Sequence, residues 1–183
     1  AAGTVTDPAK HQHCDYTLDI ESADQGRSAS ASTSSAAVET WMVCNQLGGR
    51  GAQAIASDTR WSHMKLVPWA GVAARLRTSS GSLTAKREQP TGKAYCFLPL
   101  PVSTGLPVHI NGYFELSSNR RDIWSGQDMA GDGQVRSDWN RLLISEIAMA
   151  CYGRLLLAAR EELGPGHEYD CLWPCKQLED EMW

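Results

Sequence analysis

The stretch AYCFLPLPVSTGLPVHINGYFELSSNRR, residues 94–121, decides how the rest of the chain is read. Two apolar runs, 94–100 and 106–116, are rich in aromatic and β-branched residues and meet across a short Pro/Gly/Ser/Thr connection, the pattern of paired strands. The second run breaks into a polar knot, Ser117-Ser118-Asn119-Arg120-Arg121. Two strands that deliver two guanidinium groups to one tip frame a binding or signalling surface. Such a pair can chelate a carboxylate or phosphate through parallel N–H donors, which Lys cannot do. The bland alternative is a solvated pair, or a salt bridge to Glu115 or Asp122.

Upstream, residues 1–14 are read as a flexible lead-in. Residues 15–21 alternate, with Tyr16, Leu18 and Ile20 on one face, and predict a half-buried strand. The Ser/Ala-rich residues 22–37 predict a mobile loop. Residues 39–46 resume as strand, with Trp41 and Val43 on one face and Met42 and Cys44 on the other, so the two strands form a long-looped antiparallel hairpin. Gly48-Gly49-Arg50-Gly51 is a glycine-rich turn. Its backbone amides could approach a phosphate, but no Walker Lys-Ser/Thr follows, which favours a plain turn. Residues 52–57 fit a short helix or an irregular connection. Residues 66–76, which hold Pro68 and Gly71, read as an edge or bulged strand, and 78–92 as a polar loop.

Downstream, the glycines of 122–137 predict an irregular loop. The longest helix follows at 138–163, capped by Ser137 or Asp138 and closed by Gly164-Pro165. Trp139, Leu142, Leu143, Ile147, Ala150, Cys151, Leu155 and Leu156 wrap more than one face of it, with Trp139 and Leu143 on the buried side. A C-terminal extension, 164–183, ends in a short acidic helical stretch. Strands followed by one long helix predict an α+β domain over 15–163, a mixed or antiparallel β-sheet with the helix packed on one face.

The totals set bounds. At 183 residues the chain fits one domain with its own core. A hydrophobic share of 42% and a charged share of 21% are those of an ordinary globular domain. A formal net charge of −4 argues against a nucleic-acid surface. No apolar run in the sequence approaches the roughly 18 residues of a membrane span, so no membrane partner is expected. The six cysteines are widely spaced without a secretory leader, and three sit in apolar runs, which favours free thiols in a reducing, cytoplasmic setting. A first residue of Ala rather than Met favours a piece of something longer.

Chemistry within the chain finds little support. His11-Gln12-His13-Cys14 offers metal-capable side chains, with Cys171 and Cys175 as remote partners, but without a second close pair. The two thiols of 171–175 are three residues apart, not the two of redox pairs. His109 lies in an apolar strand beside Asn111-Gly112, where packing or a hydrogen bond is the ordinary role, and no G-x-S-x-G elbow occurs. No metal, no cofactor and no complete active site is expected.

The runs CFLPLPVSTGLPVHINGYFELSSNRRDIW and DWNRLLISEIAMACYGRLL resemble the sacsin family. The motifs C-F-L-P-L-P, T-G-L-P-V-H, N-G-x-F and S-x-N-R-R carry the likeness, which extends over about 15–157 with diverging loops. The resemblance implies a non-catalytic module of a large chaperone or co-chaperone, following a heat-shock-protein-90-like ATPase domain. The ATP-binding motifs of that family are absent here. The implied partners are that upstream ATPase domain of the same polypeptide, and client or chaperone proteins. In related ATPases of the GHKL superfamily, the transducer (middle) domain sends a basic residue to the neighbouring nucleotide. By analogy of position, Arg120 or Arg121, with Asn119 beside them, are the phosphate- or partner-contacting candidates. The alternative is a peptide- or protein-docking module without ATPase coupling, using the sheet edge near 66–76 or the Trp-rich surface.

Overall fold

A computed structural model of the chain describes residues 12–22, 37–78, 81–82, 91–126, 132–164 and 169–174. Most of the lead-in, the loops of 22–37 and 78–92 and the acidic tail lie outside the described residues, as do His11 and Cys175. The architecture is the predicted α+β arrangement. Its strands are β1 (Gln12–Ser22), β2 (Ala37–Leu47), β3 (Trp69–Thr78), β4 (Gly81–Ser82), β5 (Lys93–Cys96), β6 (Leu98–Ser103) and β7 (His109–Gly112). The sheet order is β1-β2-β3-β7-β5-β6, with β4 on β3, and β5 and β7 run parallel while the other pairs are antiparallel. The sheet is therefore mixed.

The predicted hairpin of β1 and β2 forms in continuous register, Tyr16 opposite Val43 and Leu18 opposite Trp41. The facing of β2 is as the alternation required: Met42 and Cys44 are buried, Trp41 and Val43 only partly. β1 departs from expectation. It begins at Gln12, inside the predicted lead-in, and is exposed at every position but Leu18, because it is the outermost strand. The strand foreseen over 66–76 as edge or bulged is not at an edge, but its register against β2 does shift, between the pairs Thr40–Arg77 and Trp41–Arg75. β3 starts after Pro68 and lies between β2 and β7, so the proline removes no ladder hydrogen bond.

The run 94–100 forms two strands rather than one, because Phe97 turns to a φ of +61° and sends β6 back along β5. The long helix also differs. It starts at Asp132 as α2 (Asp132–Leu142), widens to a π-helical segment (Leu143–Ala148) and continues as α3 (Met149–Leu163). Neither Ser137 nor Asp138 caps it: the Ser137 hydroxyl donates to the Gly126 carbonyl at 3.1 Å and Asp138 pairs with Arg141 at 2.8 Å. Gly164 closes it as predicted, at φ +78°. By length and composition this 32-residue helix could cross a membrane, a property shared by core helices. Here its Trp139, Leu143, Ile147, Cys151 and Leu155 are buried in one cluster with Val72, Ala74 and Leu76 of β3. Ala150, in contrast, is exposed.

Two polar links fix the helix, one to the sheet and one to the helix start at Arg50. Arg154 reaches Asp15 on β1 at 3.0 Å and Gln46 on β2 at 2.7 Å. Glu146, in the π segment, accepts from the backbone N–H of Gly51 at 2.9 Å and of Ala52 at 3.2 Å. Those are orphan amides at the start of α1 (Arg50–Ser57), where a carboxylate is favoured. The glycine-rich turn thus cradles an anion, and the anion is the chain's own carboxylate.

Candidate functional site: a clamped arginine turn

Beyond β7 the backbone passes Tyr113, whose carbonyl accepts from the Trp139 indole N–H at 2.8 Å. Phe114 is buried. Leu116 and Ile123 then form an antiparallel bridge, and the Trp124 N–H donates to the Glu115 carbonyl at 2.9 Å. Residues 115–124 are therefore a small hairpin with the polar knot at its end.

Inside that end, the Ser117 N–H donates to the Asp122 carbonyl at 2.9 Å and the Arg120 N–H to the Ser117 carbonyl at 2.8 Å. Asn119 Oδ1 accepts from the Ser117 hydroxyl at 2.6 Å and the Arg121 N–H at 2.9 Å, an Asx-type brace. Arg120 sits at φ +56°, a left-handed conformation unusual for a residue with a Cβ, and these bonds hold it there. Arg120 and Arg121 are both exposed. Among the described residues neither guanidinium has an ion-pair partner, and Glu115 pairs with Arg136 at 3.6 Å instead. The structure thus brings Asn119, Arg120 and Arg121 into one turn. It gives Asn119 a bracing role through Oδ1, so its amide Nδ2 is the part left to meet a ligand.

What positions the hairpin is Asn140, buried on the long helix at 3% exposure. Its Oδ1 accepts from the Glu115 N–H at 2.8 Å, and its Nδ2 donates to the carbonyls of Glu115 at 2.8 Å and Trp124 at 2.9 Å. One side chain thereby satisfies backbone groups on both arms. The Trp124 indole N–H donates to the Gly133 carbonyl at 3.0 Å, and the Arg136 guanidinium lies 5.8 Å from its ring centroid. None of these clamp residues was foreseen. The available signal was a polar Asn placed between Trp139 and Leu143 in an otherwise apolar stripe, which demands hydrogen-bond partners.

Burial pushes the Cys96 thiol up. Elsewhere burial pushes Cys44 up to about 12 and Cys151 up to about 11, so both stay protonated, packed thiols.

His109 is packed and hydrogen-bonded, as expected. Its Nδ1 accepts from the Lys93 N–H at 2.9 Å, and its ring stacks on Trp41 with centroids 5.5 Å apart. Burial pushes its pKa below 6.5, helped by the nearby Lys93 charge. The unfolded chain then binds more protons as pH falls through the histidine range, so stability present above about pH 6.5 is lost below it. Urea midpoints at pH 7.5 and 5.0 should show a larger acid loss in the parent than in His109→Gln. Equal losses would contradict this assignment. Among the described residues no group of three or more His, Cys, Asp or Glu side chains could hold a metal ion.

Comparison with known proteins places the chain. Over 161 residues, 86% of this chain, it is 38% identical to human sacsin. The chain is a sacsin-related region. It spans 3% of the length of that relative. No protein-family model matches it, and no solved structure matches it significantly. In this sacsin-related region the arginine turn exposes two guanidiniums and is anchored to the long helix by Asn140.

Proposed function

We propose that this sacsin-related region is a non-catalytic module of a chaperone or co-chaperone that answers a heat-shock-protein-90-like ATPase domain of the same polypeptide. The relationship to sacsin supports the chaperone setting. The likeness to a GHKL transducer domain rests on the strand–loop–long-helix order of 107–163. The observation that carries the coupling is the turn itself: two exposed guanidiniums, without ion-pair partners among the described residues, held by a braced backbone.

The chemistry required is electrostatic. Charge develops on the γ-phosphoryl oxygens during transfer, and a preorganised guanidinium stabilises it without reorganising at the moment of reaction. Arg120 or Arg121 supplies that group from outside the ATPase domain. Asn140 supplies the route of response, because a force on the turn bears directly on Glu115 and Trp124 and through them on the long helix. In this reading the region holds no cofactor of its own, works in the cytoplasm, and passes the ATPase's state to client or chaperone proteins.

The test is to join the region to its upstream ATPase domain and measure steady-state ATP turnover for Arg120→Ala and Arg121→Ala. Removal of the acting arginine should lower turnover at least about tenfold, with nucleotide affinity little changed. Unchanged turnover in both variants would overturn the coupling.

A further inference from the structure

The face of the sheet opposite the long helix carries a concavity of about 360 Å³ that the arginine turn does not use. Its floor is made of small residues on the inner strands, Gly71 and Ala73 of β3 beside Val43 of β2. The Asn45 amide lies over Gly71: a Cβ at that position would fall 2.1 Å from Asn45 Oδ1. Trp69 and Tyr95 line one side and Tyr16, on the exposed β1, lines the other.

The polar groups of the concavity are fixed by bonds they already make. The Lys93 N–H donated to His109 Nδ1 places the ring proton on Nε2, which makes Nε2 a donor. Asn111 Oδ1 accepts from the Phe97 N–H at 3.0 Å, which leaves its Nδ2 to donate. Phe97 is itself notable, a bulky residue held at φ +61° with its ring 56% exposed. It stacks over Trp69 with rings 6.3 Å apart and 9° from parallel, and meets Tyr113 edge-on at 4.7 Å. A conformation of this kind persists only where the surroundings impose it, and such outliers gather at binding sites.

Charge beside the concavity is paired or lies in solvent, as does the exposed Lys93 next to His109. Glu39 and Arg75 pair at 2.6 Å, and burial keeps His109 neutral at pH 7. An ionic group entering the concavity would lose hydration with only the solvated charge of Lys93 near it, whereas a flat uncharged ring would stack and accept hydrogen bonds. Exposed apolar side chains continue beyond the concavity, Tyr16 and Ile20 at 46% exposure on β1 and Phe97 and Tyr113 on the other side. A rim of that breadth suits the anchor residue of a protein partner rather than a free small molecule.

We infer that the open sheet face docks a protein partner through one uncharged aromatic side chain carrying a hydrogen-bond acceptor, as tyrosine does, seated on Val43 and Ala73 with His109 and Asn111 as donors. This site is independent of the arginine turn and of its coupling to an ATPase. The test titrates acetyl-Gly-Tyr-Gly-amide into the isotopically labelled chain, with acetyl-Gly-Glu-Gly-amide, acetyl-Gly-Lys-Gly-amide and phenol as comparisons. The tyrosine peptide should shift the Phe97 amide, the Asn111 side-chain amide and the His109 ring saturably, and bind at least about tenfold more tightly than either charged peptide. Ala73→Leu, which fills the floor, should abolish the shifts. Tyr16→Ser, an exposed change on the outer strand that should leave the fold intact, should weaken binding severalfold. Absence of shifts at those groups, equal binding of the charged peptides, or full binding by both variants would overturn the site. Phenol binding as tightly as the peptide would overturn the protein partner.

Discussion

Leu143→Ala should destabilise the chain by about 2–5 kcal/mol. The side chain is fully buried, at the first position of the π-helical segment, and packs in the cluster shared with β3. Truncation removes three carbon atoms from contact and leaves a void that the surroundings fill only in part. The π turn lies between two long α segments and is held by Glu146 on α1, which restricts collapse into the void. For a chain of 183 residues that loss corresponds to a melting temperature lower by about 5–15 °C. A calorimetric scan that hardly moved would mean that this face of the helix is not packed on the sheet.

The second large effect belongs to Asn140→Ala, at about 2–4 kcal/mol. Removing the amide strands the Glu115 N–H and the Trp124 carbonyl, one on each arm of the hairpin, while the Glu115 carbonyl keeps the Trp124 N–H, in a site too buried for easy hydration. The expected signature is local as well as global. Amide exchange at Glu115 should accelerate, because its N–H donates only to Asn140 Oδ1 among the described residues. The Trp139 indole N–H, bonded to the Tyr113 carbonyl, should keep its protection up to the new global limit. Loss of stability with unchanged exchange at Glu115 would show that Asn140 matters for packing and not as a clamp.

How far the sequence discloses this molecule depends on the range of the interactions involved. The period-2 alternation of 39–46 set the facing of β2 correctly, because strand geometry alone determines it. The same alternation over 15–21 located β1 but not its exposure, which depends on the helix packing elsewhere. Pro68 and Gly71 suggested an edge or bulged strand for β3, and the irregularity found lies farther along, opposite Thr40 and Trp41. In the fold the proline precedes the strand, and the glycine makes room for Asn45 across the ladder. The helix start was hidden because Gly131 and Gly133 read as loop and Ser137 as a cap, while the Ser137 hydroxyl bonds Gly126 eleven residues back.

The candidate site divides in the same way. Asn119, Arg120 and Arg121 stood out as residue types at a strand end, and they share one turn. Their support did not stand out, since Asn140 meets Glu115 across 25 residues and Trp124 across 16. The aromatic concavity was least legible of all. Tyr16, Trp69, Tyr95 and His109 come from four strands and meet only through the sheet order.

The proposed coupling of the turn to a neighbouring ATPase depends on guanidinium geometry, and lysine replacement isolates that geometry from charge. In the joined protein, ATP turnover is compared for the parent, Arg120→Lys and Arg121→Lys, each checked for an unchanged melting temperature. Lysine keeps the charge but loses the planar fork that grips phosphate with two donors. One of the two lysine variants should lose turnover by about tenfold or more at unchanged stability. Full turnover in both would contradict it.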